Sequence, residues 1–186
     1  RKKNAPVLQK ELTERLKELN FLTVDLEIKL EKTEAGVKGT DAVDFLISVN
    51  PGEDRKPIAD VASGGELSRM MLAVKTVMAG REDTGTLIFD EIDSGISGIT
   101  AWKVAGSLAG VSRHHQVICI THLPQIAAAA DTHFLIEKSA TADSTVSTIR
   151  PLSSDESIKE LARMLGGDTI TEATLANARE LRSQII

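Results

Sequence analysis

Two short, wholly apolar segments most constrain what this chain can fold into. Residues 87–89 and 117–120 contain no alternating polar positions, and a helical pattern lies between them at about 101–111. Apolar strands separated by a helix are typical of a parallel sheet covered on both faces, which indicates an α/β fold. Ligands of such folds bind beyond the carboxyl ends of the strands, so the residues that follow each strand are candidates for function.

Two acidic residues, Asp90 and Glu91, directly follow the first apolar strand. Successive side chains at a strand end diverge, so the two carboxylates can do different work. Asp90 is the candidate magnesium ligand, directly or through water. Glu91 is the candidate general base, which would accept a proton from an attacking water molecule. A solvated acidic turn is the alternative interpretation of this pair.

A histidine, His122, follows the second apolar strand. Because neighbouring parallel strands end at the same edge of a sheet, we expect His122 to share the crevice beyond Asp90 and Glu91. A lone histidine is more often structural than functional. His114 and His115 precede the second strand, on the side away from the crevice, and we assign them no role.

A third candidate segment opens a predicted amphipathic helix over about 64–79. It contains Ser63, Gly64, Gly65 and Glu66. In one interpretation Ser63 caps the helix and Glu66 reaches back to it as a capping box. In the other, two glycines let a phosphate approach the free backbone amides at the helix N-terminus. Both interpretations use the same local geometry.

The order and spacing of these segments resemble those of ABC-type ATPases. Ser63 precedes Asp90 by 27 positions, and Asp90 precedes His122 by 32. The place of the D-loop, between the last two, is taken by Asp93, Ser94, Gly95, Ile96, Ser97 and Gly98. No phosphate-binding P-loop motif occurs: residues 80–86 come nearest, but they lack the lysine and precede a strand. We therefore expect the phosphate cradle to come from sequence outside this chain, and the chain alone to be inactive.

The flanking segments predict further helices and hairpins. A helical stripe is formed by Leu8, Leu12, Leu16 and Leu19, and apolar residues then alternate with polar ones over 22–30 and 43–49, as in an antiparallel hairpin. A second hairpin is predicted from 133–137 and 146–150 around a polar turn at 139–144. Two terminal helices each begin with a possible capping box, Ser153 with Glu156 and Thr169 with Glu172.

Composition excludes several classes of protein. The 186 residues are 41% hydrophobic and 26% charged, which is ordinary for a soluble domain, and no apolar run approaches the roughly 20 residues of a membrane span. The net charge of −5 argues against a basic face over the whole domain for nucleic acid. The single cysteine, Cys119, cannot form an internal disulfide, so we expect a reducing cytoplasm with Cys119 as a small core residue.

Longer motifs resemble the RecN family of bacterial SMC-like DNA repair ATPases. They are residues 50–53 (NPGE), 61–69 (VASGGELSR), 89–98 (FDEIDSGISG), 121–127 (THLPQIA), 162–167 (ARMLGG) and 173–181 (ATLANAREL). The resemblance runs from about Phe21 to the end of the chain. It implies that residues 21–186 form the C-terminal lobe of a split ATPase head and that residues 1–20 are the root of a returning coiled-coil arm. The P-loop would lie in an N-terminal lobe of the same protein.

The resemblance also implies roles for the candidate residues. Two heads would dimerise around two ATP molecules, so that the segment from Ser63 to Glu66 meets the γ-phosphate held by the opposite subunit. Asp90 would serve Mg²⁺, Glu91 would polarise water and His122 would sense the γ-phosphate. Many ABC D-loops end in aspartate where this chain has Ser97; the RecN pattern also has serine there.

The function that the resemblance implies is ATP-driven recombinational repair of DNA double-strand breaks. The full-length protein would act on DNA ends or single strands, in the bacterial cytoplasm at the nucleoid. Two alternatives are a structural DNA tether clamped by ATP and a chromosome-organising SMC-type protein. Glu91 favours hydrolysis over a pure clamp, and residues 95–98 count against the second alternative.

Overall fold

A computed structural model describes residues 1–60, 63–140 and 145–184, with the side chains of residues 139 and 140 left out. The described chain divides into two compact units, Arg1–Ile120 and Thr121–Ile186. The first unit carries three of the candidate segments, and the second begins just before His122. The α/β class predicted from the sequence is confirmed.

The first unit opens with a helix packed along an antiparallel hairpin. It contains α1 (Ala5–Glu18), β1 (Asp25–Gly36), β2 (Gly39–Ser48) and a short third strand, β3 (Lys56–Pro57), followed by a 3-10 turn, Ile58–Asp60. Leu12, Leu16 and Leu19 of the predicted stripe are buried, and Leu8 is half-buried. The predicted hairpin is confirmed, but β1 begins at Asp25. Leu22 stays exposed because the chain is still in the turn after α1.

Apolar cross-strand pairs fix the register of this hairpin. Leu26 lies opposite Ile47, and both side chains are buried. Such pairs stabilise a sheet most where one face packs against another element. On the outer edge of β1, the side-chain oxygen of Gln9 accepts the Ile28 N–H at 3.1 Å. The helix α1 therefore satisfies part of a strand edge that would otherwise be unpaired.

The α/β part of the first unit carries the candidate site. It comprises α2 (Gly64–Met78), β4 (Thr86–Phe89), α3 (Gly98–Val111) and β5 (Gln116–Cys119). The two strands are parallel, as predicted, and Phe89 lies opposite Cys119. The helix predicted at 101–111 begins earlier, at Gly98, because Ser97 takes the N-cap position with extended backbone.

Within the described residues only one face of the β4–β5 sheet is covered, so the expectation of cover on both faces is wrong for this part of the chain. Leu87 and Phe89 are buried on one face. Ile88, Ile118 and Ile120 share the other face and are 67%, 45% and 48% exposed. Both strand segments are wholly apolar in the sequence, but the described residues supply covering elements for one side only.

The thiol of Cys119 is half-buried, and burial raises its pKa to about 12. It therefore stays protonated at neutral pH and is a packing residue near the sheet end. None of the helices in the described residues is both long and apolar enough to cross a bilayer.

The described residues of the second unit form three helices and a hairpin. They are α4 (Pro124–Ala128), β6 (Phe134–Ala140), β7 (Thr145–Pro151), α5 (Ser154–Gly166) and α6 (Glu172–Ser183). The predicted hairpin is confirmed, although residues 141–144 of its turn lie outside the described part of the chain.

The two predicted helix caps of the second unit have different outcomes. The capping box of Ser153 with Glu156 is present, and these bonds lower the pKa of the Glu156 carboxyl to about 2. The box predicted for Thr169 with Glu172 is wrong. Since α6 begins at Glu172, the N-cap is Thr171, and the Thr174 hydroxyl accepts its N–H at 2.9 Å. The hydroxyl of Thr174, at the third helical position, therefore accepts the N-cap N–H in place of a glutamate carboxylate.

The buried hydroxyl of Ser157 links three elements of the second unit. Arg182 Nη1 donates to Ser157 Oγ at 2.5 Å, and the same oxygen lies 2.5 Å from His133 Nδ1. The other ring nitrogen of His133, Nε2, bonds the Ala127 carbonyl. A carbonyl only accepts, so this network assigns the proton to Nε2 and leaves Nδ1 to accept from Ser157. The network is satisfied by the neutral imidazole.

We expect the free energy of unfolding to fall as the pH is lowered from about 7.5 to about 5.5. Burial first, and the Arg182 charge in addition, lower the pKa of His133. The unfolded chain, whose histidines titrate near pH ~6.5, then binds the proton before the folded chain does. The stability from neutral His133 is complete above that pH and is lost as the pH falls towards the folded-state value.

Urea midpoints at the two pH values measure this effect. His133→Gln should flatten the pH dependence, while His114→Gln, which removes an exposed histidine, should leave it. Equal midpoints for the unsubstituted chain at both pH values would contradict the assignment.

Candidate functional site

The first turn of α2 presents a capped but open helix start. Ser63 is the N-cap, with extended backbone, and its Oγ accepts the Glu66 N–H at 3.1 Å. In the described structure the Glu66 carboxylate returns no bond to Ser63, so only half of the expected capping box forms. Ser63 and Gly64 are exposed, and the amides of the first turn point out of the helix as an anion site requires.

The chain turns sharply after β4, and this turn holds both candidate carboxylates. Asp90 and Glu91 are exposed. Asp90 Oδ1 accepts the Glu91 N–H at 2.9 Å, which fixes the Asp90 side chain over the turn. Glu91 has a φ of 55°, in the left-handed region that is uncommon for a residue with a side chain. That the two side chains diverge to do different work stays a prediction.

The two glycines of α2 contact this turn directly. A Cβ on Gly65 would lie 2.8 Å from the Glu91 carbonyl oxygen and 2.8 Å from Ser94 Cβ. A Cβ on Gly64 would lie 2.7 Å from Glu91 Oε2. Gly65 is buried, so its small size is required for packing within this chain. The sequence had suggested only that the glycines admit a phosphate.

Two side chains of α2 fasten the same turn. Ser68 Oγ donates to the Asp90 carbonyl at 2.8 Å. Arg69 Nη1 donates to the Ile92 and Ser94 carbonyls at 3.2 and 2.7 Å. The N-terminal end of α2 and the turn of Asp90 and Glu91 are therefore held together by close contacts and hydrogen bonds.

No role for Arg69 was predicted from the sequence, although its position in the predicted helix indicated one. Arg69 lies four residues after Gly65 and four before Ala73 on the buried face of α2. An arginine at such a position is rarely left without partners, because burying a charge is costly. Only 6% of Arg69 is exposed, and burial lowers the pKa of its guanidinium.

The D-loop segment, 93–98, continues the turn into α3. Ile92, Asp93 and Ile96 are buried. Ser94 N–H donates to the Glu91 carbonyl at 3.0 Å. Ser97 is the N-cap of α3 but makes no side-chain cap bond, and it is exposed. The buried residues of this segment anchor it, while its serine and glycine positions face outward.

His122 lies at the start of the second unit, two residues before α4, and is exposed. The Thr121 hydroxyl accepts the Leu123 N–H at 3.0 Å and shapes the turn that carries it. The first unit brings together the segment 63–66, Asp90, Glu91 and the D-loop. That His122 shares their crevice stays a prediction.

Solved structures of SMC heads have the same fold. The Smc head domain with a coiled coil and joint from Pyrococcus yayanosii matches 83% of this chain and 28% of its own length, with 27% identity and a TM-score of 0.57. The Smc head domain with an extended coiled coil from Pyrococcus furiosus, bound to the C-terminal domain of ScpA, matches 85% of this chain and 37% of its own length, with 25% identity and a TM-score of 0.55. The chain thus has the fold of part of an SMC-type ATPase head.

Curated relatives identify the family to which the chain belongs within this class. DNA repair protein RecN of Halalkalibacterium halodurans is 42% identical over 186 residues, and that of Vibrio cholerae is 45% identical over 179 residues. These matches cover 97% and 95% of this chain but 33% and 32% of the relatives. The chain belongs to the RecN family, matches the C-terminal part of its members and spans about a third of their length. No model of a known protein family matches the chain.

We expect Gly65→Ala to lower the free energy of unfolding by about 1–3 kcal/mol, the usual cost of overpacking. Alanine favours a helix, but its Cβ would meet the Glu91 backbone and Ser94, and the backbone oxygen cannot move aside cheaply. Gly106→Ala is the matched control, because an added Cβ there meets nothing within 4 Å in the interior of α3. It should raise stability by about 0.5–1 kcal/mol. Urea denaturation of both variants checks the prediction, and effects of the same sign would refute it.

Proposed function

We propose that this chain is the C-terminal lobe of an ATP-hydrolysing head that acts in recombinational repair of DNA double-strand breaks. The observation that carries the proposal is the packing of the α2 start against the turn of Asp90 and Glu91. This packing places a helix N-terminus, which suits a phosphate, beside two carboxylates. Phosphoryl transfer uses such carboxylates to hold the metal ion and to orient the attacking water. The relatives named DNA repair protein RecN support the biological role.

An N-terminal lobe of the same protein is the proposed carrier of the P-loop. The apolar sheet face of Ile88, Ile118 and Ile120 is exposed in this chain, although buried sheets of this kind are covered on both sides. The relatives are about three times as long as the matched segment, which leaves ample sequence for a second lobe. We place α1 at the root of a coiled-coil arm between the two lobes.

ATP and Mg²⁺ are the proposed substrate and cofactor, and the residues present fit both. The segment from Ser63 to Glu66 begins a helix, Ser63 and Gly64 are exposed, and Gly64 and Gly65 carry no Cβ, an arrangement that suits a phosphate. The described residues contain no group of three or more histidine, cysteine or acidic residues that could cage a metal. Magnesium commonly uses one or two carboxylates together with phosphate oxygens, so Asp90 suffices as its protein ligand. When bound, the ion would offset the negative charge of the phosphates.

Each remaining candidate has one task in this proposal. Glu91 accepts a proton from water, and its exposed carboxylate is accessible for that purpose. His122 senses the γ-phosphate after the lobes close. The D-loop, whose Ser94 and Ser97 are exposed, faces the second head of a homodimer. DNA would be bound by the full-length protein, whose other parts lie outside this chain.

We expect Glu91→Gln in the full-length protein to lower the rate of ATP hydrolysis by about 10²–10⁴, because glutamine keeps the shape of the side chain but accepts no proton. ATP should still bind, and ATP-bound dimers should accumulate. Steady-state ATPase assays and size-exclusion chromatography measure the two effects. An unchanged rate would move the base elsewhere, with His122 as the next candidate, and an unchanged repair phenotype would favour the ATP-clamped tether.

We expect Ser63→Arg to block hydrolysis by keeping the heads apart, while each head still binds its own ATP. If Ser63 only caps α2, Ser63→Ala and Ser63→Arg should each cost about 0.5–2 kcal/mol of stability without this defect in assembly. Mixing Ser63→Arg with a P-loop-deficient variant separates the two cases. One composite site in the mixed dimer keeps an intact P-loop and an intact α2 start, so partial activity should return.

Two controls make the mixing experiment decisive. Thermal denaturation of Ser63→Arg shows that the variant is folded, and labelled subunits show that mixed dimers form. Mixed dimers without any activity would reject independent sites that are shared between two heads.

A further inference from the structure

Arg69 is a buried cation without a close acidic partner. Among the described residues it forms no ion pair, the Glu66 charge acts on it only from a longer distance, and its Nε has no hydrogen-bond partner. An apolar residue of similar size would fill the same space at lower cost, because burying an unpaired charge is unfavourable. The stability of α2 therefore does not explain why this position holds arginine.

The contacts of Arg69 suggest a different reason for an arginine at this position. Its Nη1 binds the carbonyls of Ile92 and Ser94, which stand on either side of Asp93 at the start of the D-loop. Its guanidinium carbon lies 5.6 Å from the centre of the Phe21 ring. A cation over an aromatic face at this distance is attracted to it. One side chain thus joins α2, the D-loop and the segment that leaves α1.

Phe21 is firmly tied to α1 on its other side. Its ring is 5% exposed, and its N–H donates to the Leu16 carbonyl at 3.1 Å. Leu16 and Leu19 at the end of α1 are buried as well. A displacement of the α1 end must therefore move Phe21, and with it the ring against which the Arg69 guanidinium rests.

We propose that Arg69 is a positioning residue that holds the D-loop in register with α2 and links both to the end of α1 through Phe21. Two carbonyls held by one guanidinium nitrogen and a ring beneath it require a planar, extended cation, which lysine does not supply. The inference rests on the proposed function, since the D-loop and the α2 start belong to that site. Arg69 acts through the backbone of Ile92 and Ser94 and touches no reacting atom.

Hydrogen exchange of the D-loop in the full-length protein is the direct test. Arg69→Met keeps the length and apolar stem of the side chain but removes both hydrogen bonds, so peptides that span 90–98 should exchange about 10–100 times faster. Arg69→Lys should fall between Arg69→Met and the unsubstituted chain. Phe21→Leu, which keeps an apolar side chain but removes the ring, should change the same peptides in the same direction by a smaller factor.

Lys75→Met is the matched control. Lys75 is a hydrogen-bonded cation of the same helix, but its partner is Glu82, away from the D-loop. This variant should leave exchange at 90–98 unchanged. If Arg69→Met accelerates exchange equally along the whole chain, Arg69 serves global stability and the proposal fails. If Phe21→Leu has no effect on 90–98, the link to α1 is refuted.

A kinetic measurement on the full-length protein separates this inference from the proposed function. Arg69→Met should lower kcat about tenfold or more and leave the affinity of each head for ATP within about twofold, because its P-loop is untouched. An equal loss in kcat and ATP affinity would overturn the positioning role. Absence of ATPase activity in the unsubstituted protein would refute the proposed function, while the exchange experiment would still decide the role of Arg69.

Discussion

The approach of α2 to the turn after β4 is the contact on which the candidate site depends. Gly65 allows it, because a side chain there would meet the Glu91 carbonyl and Ser94. Ser68 then reaches the Asp90 carbonyl, and Arg69 reaches the D-loop. A segment that would bind a phosphate of one nucleotide and a turn that would serve another are thus parts of one packed unit. The two segments are in direct contact, with no element between them.

Exposed apolar surfaces on this chain are consistent with its being one part of a longer protein. The apolar sheet face of Ile88, Ile118 and Ile120 is exposed, and the chain spans about a third of its curated relatives. An isolated pair of parallel strands has too few partners to be a complete core. The antiparallel pair β6–β7 also has exposed apolar side chains: Phe134 and Ile149 are 60% and 68% exposed.

The sequence predicted those features that repeat along the chain or follow a motif. Apolar alternation located both hairpins, wholly apolar runs located the parallel strands, and helical spacing located the α1 stripe. The order of the motifs located the α2 start and the carboxylates. It missed what depends on contacts between distant residues: the bonds of Arg69 to Ile92 and Ser94, and the need for Gly65 in packing. The Thr171 cap was missed because a threonine replaced the usual acid. The sequence predicted that both faces of the β4–β5 sheet are covered, and one face is exposed. An apolar run indicates that a strand is to be buried, but it does not say which element buries it.

The left-handed backbone at Glu91 has a consequence for the evolution of this site. A residue with a Cβ costs about 1–2 kcal/mol in that conformation, whereas glycine adopts it freely and asparagine does so readily. Selection for thermal robustness alone would therefore favour exchange of this glutamate, and with it loss of the carboxylate. A heat-tolerant variant that has lost ATP turnover could therefore have lost the carboxylate at position 91. That substitution, and not increased rigidity, would then explain the lost activity.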